Sequence, residues 1–273
     1  MSAAGRNLIT VFTKPWPKLS LEELADLVKG LGIDGVELPV RPGYQVEPAA
    51  VSRELARAAR LLQNRGVRIR SIAASADKTM VAACGDAGVP IIRIMASIDL
   101  KKGYRACVEE HQRTFDALLP ELERHKVLIG VQNHCDNFVG SAIGLVHLLG
   151  KYDPRKVGAV LDPAHCGLDG EPEEMAVDIA WPNLALVNLK NAYWQMLAGA
   201  DAEPQWRKFW CTGRFGLFSW PVVLRELSKR GYAGDYCLTA EYSNPDQQGD
   251  LQGDAVLPLI REDIRYLKGL LSA

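Results

Sequence analysis

Long apolar runs and a basic excess are both missing from this sequence of 273 residues. No apolar run approaches the ~18 residues of a membrane-spanning helix. The first residues, MSAAGRNLITVF, lack the charged segment and apolar stretch of a secretory leader. The 32 basic and 33 acidic residues give a formal net charge of −1, so the chain has no basic excess to hold a phosphate backbone. We therefore expect a cytoplasmic protein that binds neither membranes nor nucleic acids.

Closely spaced cysteine pairs are missing as well. The six cysteines form no Cys-x-x-Cys pair and lie at positions 84, 107, 135, 166, 211 and 237. A chain of this length with 48% hydrophobic residues can bury a large core and does not need disulfides for stability. We expect all six thiols to be reduced.

The sequence does contain a regular alternation of apolar strands and helices. Eight short apolar runs are predicted as strands, at 7–12, 33–38, 67–73, 89–95, 127–133, 157–161, 184–189 and 236–240. Each is followed by a predicted helix, at 21–31, 48–65, 77–88, 104–125, 141–150, 171–180, 219–230 and 254–270. Strict alternation of this kind implies a parallel sheet with right-handed crossovers.

Eight such units in about 250 residues favour a (β/α)8 TIM barrel, a single domain over residues 1–273. A doubly wound open sheet is the alternative fold. It usually has a glycine-rich phosphate loop after its first strand, and the segment TKPWPK at that point is not one.

Polar side chains follow several of these strands at the point where each strand ends. Asp162 and His165 lie in LDPAHCG, directly after the sixth strand, which must stop at Pro163 because proline cannot donate to a sheet ladder. The other polar residues at strand ends are Glu37, Arg93, Gln132, Asn133, His134, Asn188, Lys190 and Glu241. Each alone could be a turn residue or an ion-pair partner. Because the strand ends of a barrel meet at one face, together they predict a functional site.

Five motifs resemble, in order, those of the xylose isomerase-like TIM barrel superfamily, in particular its sugar phosphate isomerase/epimerase group, which includes tagatose and psicose 3-epimerases. They are GIDGVEL at 32–38, VQNHCD at 131–136, LDPAHCG at 161–167, LVNLKN at 186–191 and GYAGDYCLTAEY at 231–242. In that family a divalent metal is held by Glu, Asp, His and Glu at the ends of strands five to eight. The resemblance maps these ligands onto Gln132, Asp162, Asn188 and Glu241.

Two of these four positions depart from the family's pattern. Gln132 replaces the glutamate and Asn188 replaces the histidine, so each position keeps an oxygen but loses an anion or an imidazole. An all-oxygen set with two charges suits Mg²⁺, Mn²⁺ or Ca²⁺ more than Zn²⁺. We expect Mn²⁺ or Mg²⁺, held weakly or not at all.

The resemblance also implies a reaction, in which a proton is moved at the carbon next to a carbonyl of a small sugar or keto-sugar. The metal would polarise the substrate oxygens. Glu241 is the expected base and His165 the expected acid. Gln132 cannot exchange a proton, so isomerisation and elimination stay open beside two-base epimerisation. The expected substrate-binding residues are Glu37, His134, Lys190, Arg214 and Trp16.

A tryptophan-rich insertion is predicted at 190–218, after the seventh strand. The segment CTGRFGLFSW at 211–220 resembles the family's loop with a substrate-binding arginine, here Arg214. The insertion is interpreted as a lid over the C-terminal face, whose aromatic rings stack on a sugar. The alternative is a packed excursion whose tryptophans form core or a contact within a homo-oligomer.

Two other functions stay open at this point. The first is a catalytically altered barrel that binds a carbohydrate or acts as a partner subunit. The second is an endonuclease IV-like phosphodiesterase, which is least favoured because it needs several more metal-binding histidines and a basic face. The chain has five histidines, and three of them, at 111, 125 and 147, fall within predicted helices.

Overall fold

The computed structural model describes residues 7–33, 35–197, 203–246 and 249–272. Within these residues, eight parallel strands close into a barrel. The barrel strands are β1 (Ile9–Phe12), β2 (Gly35–Pro39), β3 (Arg68–Ala73), β4 (Ile91–Met95), β5 (Leu128–Gln132), β6 (Val157–Leu161), β7 (Leu184–Leu189) and β10 (Tyr236–Leu238). Each pairs with the next along the chain, and β10 pairs with β1, where Ile9 lies opposite Tyr236. The predicted (β/α)8 barrel is confirmed.

Helices surround the strands on the outside of the barrel. They are α1 (Leu21–Gly30), α2 (Val51–Asn64), α3 (Lys78–Ala87), α4 (Tyr104–His125), α5 (Ala142–Leu149), α6 (Pro163–Leu168), α7 (Glu173–Ala180), α8 (Trp220–Lys229) and α9 (Leu257–Ser272), with short 3₁₀ turns at Pro48–Ala50, Trp181–Asn183 and Gly253–Val256. α1 begins with a reciprocal capping box between Ser20 and Glu23, an arrangement that satisfies two otherwise unpaired backbone N–H groups. None of the helices in the described part of the chain is long and apolar enough to cross a membrane.

The structure adds a short helix that the sequence analysis did not predict. α6 begins at Pro163, directly after β6, and Asp162 is its N-terminal capping position. Proline is favoured in the first turn of a helix, because its missing N–H has no intrahelical partner there. Pro163 therefore ends the strand and starts a helix, and this helix holds His165 one turn beyond Asp162.

The predicted insertion contains two strands that pair outside the barrel. β8 (Asn191–Met196) and β9 (Trp206–Cys211) are antiparallel, with Asn191 opposite Cys211 and Met196 opposite Trp206. The segment between them includes residues 198–202, which lie outside the described residues, as does residue 34 of the motif at 32–38. That the insertion at 190–218 acts as a lid stays a prediction.

The apolar core fills the space between strands and helices, with large side chains such as Leu24, Leu55 and Ile129 fully buried. Phe12, Ala73 and Cys237 form a separate small buried cluster. Polar side chains are buried near the C-terminal ends of the barrel strands, and these build the candidate site.

Candidate active site

A chain of hydrogen bonds crosses five neighbouring strands, from β2 to β6. Glu37 accepts from Ser71 Oγ at 2.9 Å and from Arg93 Nε at 2.7 Å. Arg93 Nη1 donates to Gln132 Oε1, and Gln132 Nε2 donates to Asp162 Oδ2 at 2.6 Å. All five side chains are buried, and buried polar groups are stable only when they are paired. This network therefore fixes the Gln132 amide with its oxygen toward Arg93 and its NH₂ toward Asp162.

Two lysines neutralise the carboxylates at the barrel mouth. Lys190 Nζ lies 3.0 Å from Glu241 Oε2 and 3.6 Å from Asp162 Oδ2, and Lys14 forms a second ion pair with Glu241. Burial alone would lower the pKa of Lys190, but Asp162 and Glu241 outweigh it and the pKa is raised. Burial would likewise raise the pKa of Glu241, but the two lysines hold it well below its usual range. Lys190 and Glu241 are therefore both charged at neutral pH.

Asp162, unlike Glu241, has a pKa above the usual value for its side chain. Burial raises the pKa of Asp162 to about 6, against the opposing effects of Lys190 and of the hydrogen bond from Gln132. Its Oδ1 has no hydrogen-bond partner among the described residues. Asp162 is thus an under-satisfied group whose protonation changes near neutral pH.

The two histidines beside this group are neutral. His165 Nδ1 accepts a hydrogen bond from the Cys135 N–H at 3.1 Å, which assigns the ring hydrogen to Nε2, 3.7 Å from Asp162 Oδ2. Burial and the Lys190 charge lower the pKa of His165 well below 6.5. The same two causes lower the pKa of His134 to about 4. The ring centroids of the two histidines are 4.1 Å apart.

Several buried polar atoms here lack hydrogen-bond partners within the described part of the chain. They are Asp162 Oδ1, His165 Nε2, Asn188 Oδ1, Asn188 Nδ2 and Thr239 Oγ1. Each unpaired buried group destabilises a protein by about 1–3 kcal/mol, so such groups are rare in native structures. The cluster includes both donors and acceptors, so it could pair with a polar group that both donates and accepts.

A small cavity lies beside Asn188 and Thr239 at the C-terminal ends of the strands. Its volume is about 90 Å³, and it is lined by Phe12, Lys14, Arg41, Arg93, Met95, Gln132, His134, Asn188, Lys190, Thr239 and Glu241. Glu241, Lys190 and Asn188 therefore face one space. Asp162 and His165 do not line it, and Asp162 contacts the lining residues Gln132 and Lys190.

Comparison with known proteins supports the fold on which this site is built. Residues 25–270 match the sequence model of the xylose isomerase-like TIM barrel family. The chain belongs to this family. A search of curated proteins finds no match to the sequence.

Solved structures with the fold of this family include several sugar epimerases. An L-ribulose 3-epimerase superposes with a TM-score of 0.73 at 14% identity, over 97% of this chain and 95% of that chain. A xylose isomerase-like TIM barrel protein from Mycobacterium smegmatis, in complex with magnesium, has a TM-score of 0.71 at 14% identity, over 99% and 98%. The 3-keto-D-glucoside 4-epimerase from E. coli has a TM-score of 0.71 at 10% identity, over 97% and 100%. At these identities the similarity shows a shared fold alone.

The residues at the four predicted ligand positions of the family fit a divalent ion poorly. The oxygen of Gln132 already accepts from Arg93, and its NH₂ points at Asp162. The Lys190 ammonium lies between the carboxylates of Asp162 and Glu241, where a metal would need both of them. A metal could pair with Asn188 Oδ1 but would leave Asn188 Nδ2 buried without an acceptor.

A different trio has spacing that could suit a metal. Ligand atoms of His134, Cys135 and His165 lie within 4.8 Å of one another. Cys135 was not among the predicted site residues, because the six cysteines form no Cys-x-x-Cys pair. The sequence pattern that could have identified this trio is Cys135 next to the strand-end His134, with His165 after the neighbouring strand.

Two predicted substrate-binding residues lie away from the cavity. Trp16 is packed in the core, and its Nε1 donates to the carbonyl of Gly253 at 3.1 Å. Arg214 is exposed, with its guanidinium carbon 4.1 Å from the centroid of the Tyr266 ring in α9. Neither lines the cavity, so we do not retain them in the proposed site. Glu37 is also absent from the lining and acts on the site through Arg93.

Two charged residues that were not predicted also line the cavity, namely Lys14 and Arg41. Lys14 lies two residues after β1, so the rule that located Glu241 after β10 would have located it too. Of the tryptophans in the insertion, Trp210 contacts the site, with its ring centroid 4.2 Å from Lys190 Nζ and 5.3 Å from that of His165. Trp194 and Trp206 are exposed.

Proposed function

We propose that this protein is an enzyme that isomerises, epimerises or eliminates from a small sugar or keto-sugar by moving a proton at the carbon next to a carbonyl. The unpaired donors and acceptors beside Lys190 and Glu241 carry this proposal. A sugar hydroxyl both donates and accepts, so it can pair with Asn188 Nδ2 and Oδ1 together. The fold shared with sugar epimerases supports the same class of substrate.

Lys190 is proposed to stabilise the charge that develops on the substrate oxygen. Removing a proton next to a carbonyl forms an enediolate, and a fixed cation at that oxygen lowers the barrier. The raised pKa of Lys190 keeps this cation charged, and Lys190 lines the cavity. The family implies a divalent ion in this place, Mn²⁺ or Mg²⁺. The residues present fit one poorly, and no step of the proposed reaction requires one.

Glu241 is proposed as the base, because it is the carboxylate that lines the cavity. Its ion pairs with Lys14 and Lys190 hold its pKa well below the usual range, which makes it a weak base before substrate binds. A substrate oxygen that accepts from Lys190 would draw the ammonium away from Glu241, and the pKa of Glu241 would then rise. One carboxylate suffices for isomerisation, in which a proton is removed and returned along one face of an enediol. Epimerisation would need a second proton donor on the opposite face, and elimination would need an acid for the leaving hydroxyl. His165, the predicted acid, does not line the cavity and would need a rearrangement to reach substrate.

Deuterium exchange tests this proposal without knowledge of the final product. A panel of ketoses, aldoses and keto-glycosides is incubated with enzyme in D₂O, and incorporation next to the carbonyl is measured by NMR. We expect one class of sugar to exchange, and Glu241→Gln to slow that exchange by about 100-fold or more.

The matched control for this experiment is Glu226→Gln. Glu226 is also held by two cations, Lys229 and Arg230, but lies on α8 away from the cavity. This variant should exchange at the wild-type rate. If no sugar in the panel exchanges deuterium, or if Glu241→Gln exchanges as fast as the wild type while folded, the proposed reaction is wrong.

A second candidate function is carbohydrate binding without turnover. The observation that favours it is the double ion pair of Glu241, which opposes proton abstraction. In that case sugars would raise the melting temperature in a saturable manner, with no deuterium incorporated into any of them.

A further inference from the structure

A second cavity lies beside the first at the same end of the barrel. Its volume is about 440 Å³, and it shares Arg41, Arg93 and Met95 with the smaller cavity. Ligand-binding cavities commonly measure about 300–1,000 Å³. The two neighbouring cavities could therefore hold the two ends of one molecule, with the reacting end by Lys190 and the other end here.

The lining of this larger cavity is one-sided in charge. Among the described residues it includes two arginines, a histidine and two hydroxyl side chains, namely Arg41, Arg93, His111, Ser75 and Thr114, and no aspartate or glutamate. A cavity lined by cations without acids attracts anions, because its low-dielectric walls preserve the field of the charges.

The two arginines differ in how their charge is balanced. Arg93 is paired with Glu37, with Nη2 at 2.6 Å from Oε1. Arg41 makes no hydrogen bond or ion pair with its guanidinium among the described residues, and its guanidinium carbon lies 5.7 Å from the centroid of the Phe12 ring. Arginine stays protonated in proteins. Arg41 is thus a half-buried cation without a direct ion pair among the described residues, and it lines both cavities.

We propose that the larger cavity is an anion subsite, in which Arg41 binds the carboxylate or phosphate group of a sugar acid or a sugar phosphate. The planar guanidinium fork matches both groups in a bidentate manner. This inference rests on the proposed function only in assuming that the other end of the sugar reacts beside Lys190. It predicts binding of an anionic sugar whether or not the sugar is turned over.

Calorimetric titration of the intact protein with three sugars tests the subsite. The probes are D-fructose, D-fructose 6-phosphate and D-glucuronate, with inorganic phosphate as a competitor. We expect at least one anionic sugar to bind about tenfold or more tighter than D-fructose, and Arg41→Gln to remove that advantage. If inorganic phosphate competes with the sugar, the group that Arg41 binds is a phosphate. If glucuronate binds tightly without such competition, that group is a carboxylate.

Two variants keep this test interpretable. Arg41→Lys keeps the charge but loses the bidentate fork, so part of the affinity should remain. Arg57→Gln, an exposed arginine of α2 paired with Glu54, should bind all three sugars like the wild type. The subsite is overturned if D-fructose binds as tightly as both anions, if neither anion binds, or if Arg41→Gln leaves the preference intact. Anion binding without deuterium exchange would instead overturn the proposed reaction and leave the subsite standing.

Discussion

The orientation of one amide, that of Gln132, determines what the residues at the strand ends can bind. A glutamate at this position would keep one oxygen on Arg93 and direct the other at Asp162 Oδ2, which Gln132 Nε2 now contacts at 2.6 Å. Two carboxylates at that distance require a shared proton or a cation between them. The amide removes this requirement. The remaining charge of Asp162 and Glu241 is balanced by Lys190 and Lys14.

Restoring the family's ligands should therefore create a strong metal site only when Lys190 is also removed. We expect Gln132→Glu/Asn188→His combined with Lys190→Met to be stabilised by millimolar Mn²⁺, with a melting temperature raised by several degrees. At a ligand concentration of about 100 times Kd, binding adds about 2.7 kcal/mol to the free energy of unfolding. The measurement is a thermal melt with and without Mn²⁺.

The wild type and the Gln132→Glu/Asn188→His double variant are the controls. The wild type should show no Mn²⁺ shift, and the double variant should show a smaller shift than the triple variant, because Lys190 competes for the two carboxylates. A wild type stabilised by Mn²⁺ as strongly as the triple variant would show that Lys190 yields to a metal. The role assigned to its ammonium would then be wrong.

At the scale of elements, the β8–β9 pair connects the insertion to the strand end that carries Glu241. The Trp210 N–H donates to Ser243 Oγ at 2.9 Å, and the Ser243 N–H donates to the Trp210 carbonyl at 3.0 Å. Trp210 is thereby held with its ring over Lys190. Among the described tryptophans of the insertion, Trp210 is the one that contacts Lys190 and His165.

The sequence contained part of this information. Aromatic residues in β8 and β9, among them Tyr193, Trp194, Phe209 and Trp210, favour strands, so the two strands were predictable in principle. Which tryptophan faces the site was not, because strand faces alternate and a shift of one residue exchanges them. The pairing of Trp194 with Lys208 fixes this register, and no local pattern specifies it.

Trp210→Ala should reduce both stability and sugar binding. The substitution removes the packing of the indole against His165 and its cation–π contact with Lys190. We expect the free energy of unfolding to fall by about 2–4 kcal/mol, somewhat less than for a fully buried tryptophan. Urea denaturation and calorimetric titration with the preferred sugar measure the two effects.

Trp206→Ala is the matched control, since Trp206 is in the same strand and its side chain is exposed. It should leave both quantities near their wild-type values. Equal effects of the two substitutions would mean that the β8–β9 pair acts as one stabilising unit. Trp210 would then have no separate role at the site.

At the scale of the whole molecule, barrel closure brings residues from the two ends of the chain together. Lys14 and Glu241 are 227 residues apart in sequence, and they meet because β1 pairs with β10. The alternation of strands and helices was enough to predict this closure, and the strand-end rule was enough to predict that polar residues gather there. Which side chains pair there depends on rotamers and charges across several strands. The sequence analysis named Lys190 as a site residue, but neither Lys14 nor the pairing of both lysines with Glu241 was predicted.

The final prediction concerns Asp235, which ties the closing strands together just before β10. Its Oδ1 accepts from the Leu8 N–H at 3.1 Å, and its Oδ2 pairs with Arg70 at 2.6 Å, so it links β1, β3 and β10. Asp235→Ala leaves a partly buried N–H without its acceptor, and we expect about 1–3 kcal/mol less free energy of unfolding. Because the register of β1 against β10 positions Lys14 on Glu241, this variant should also exchange substrate deuterium more slowly.

Denaturation and backbone hydrogen exchange of β1 and β10 measure this effect. The control is Asp178→Ala, which breaks an exposed ion pair with Arg230 on the helical surface and should change little, because exposed pairs contribute little to stability. If Asp235→Ala destabilises the protein yet leaves amide protection in β1 and β10 unchanged, the loss arises outside the closure. If protection falls while deuterium exchange of the substrate is unaffected, the Lys14–Glu241 pair does not depend on this register. The site would then tolerate movement of β1.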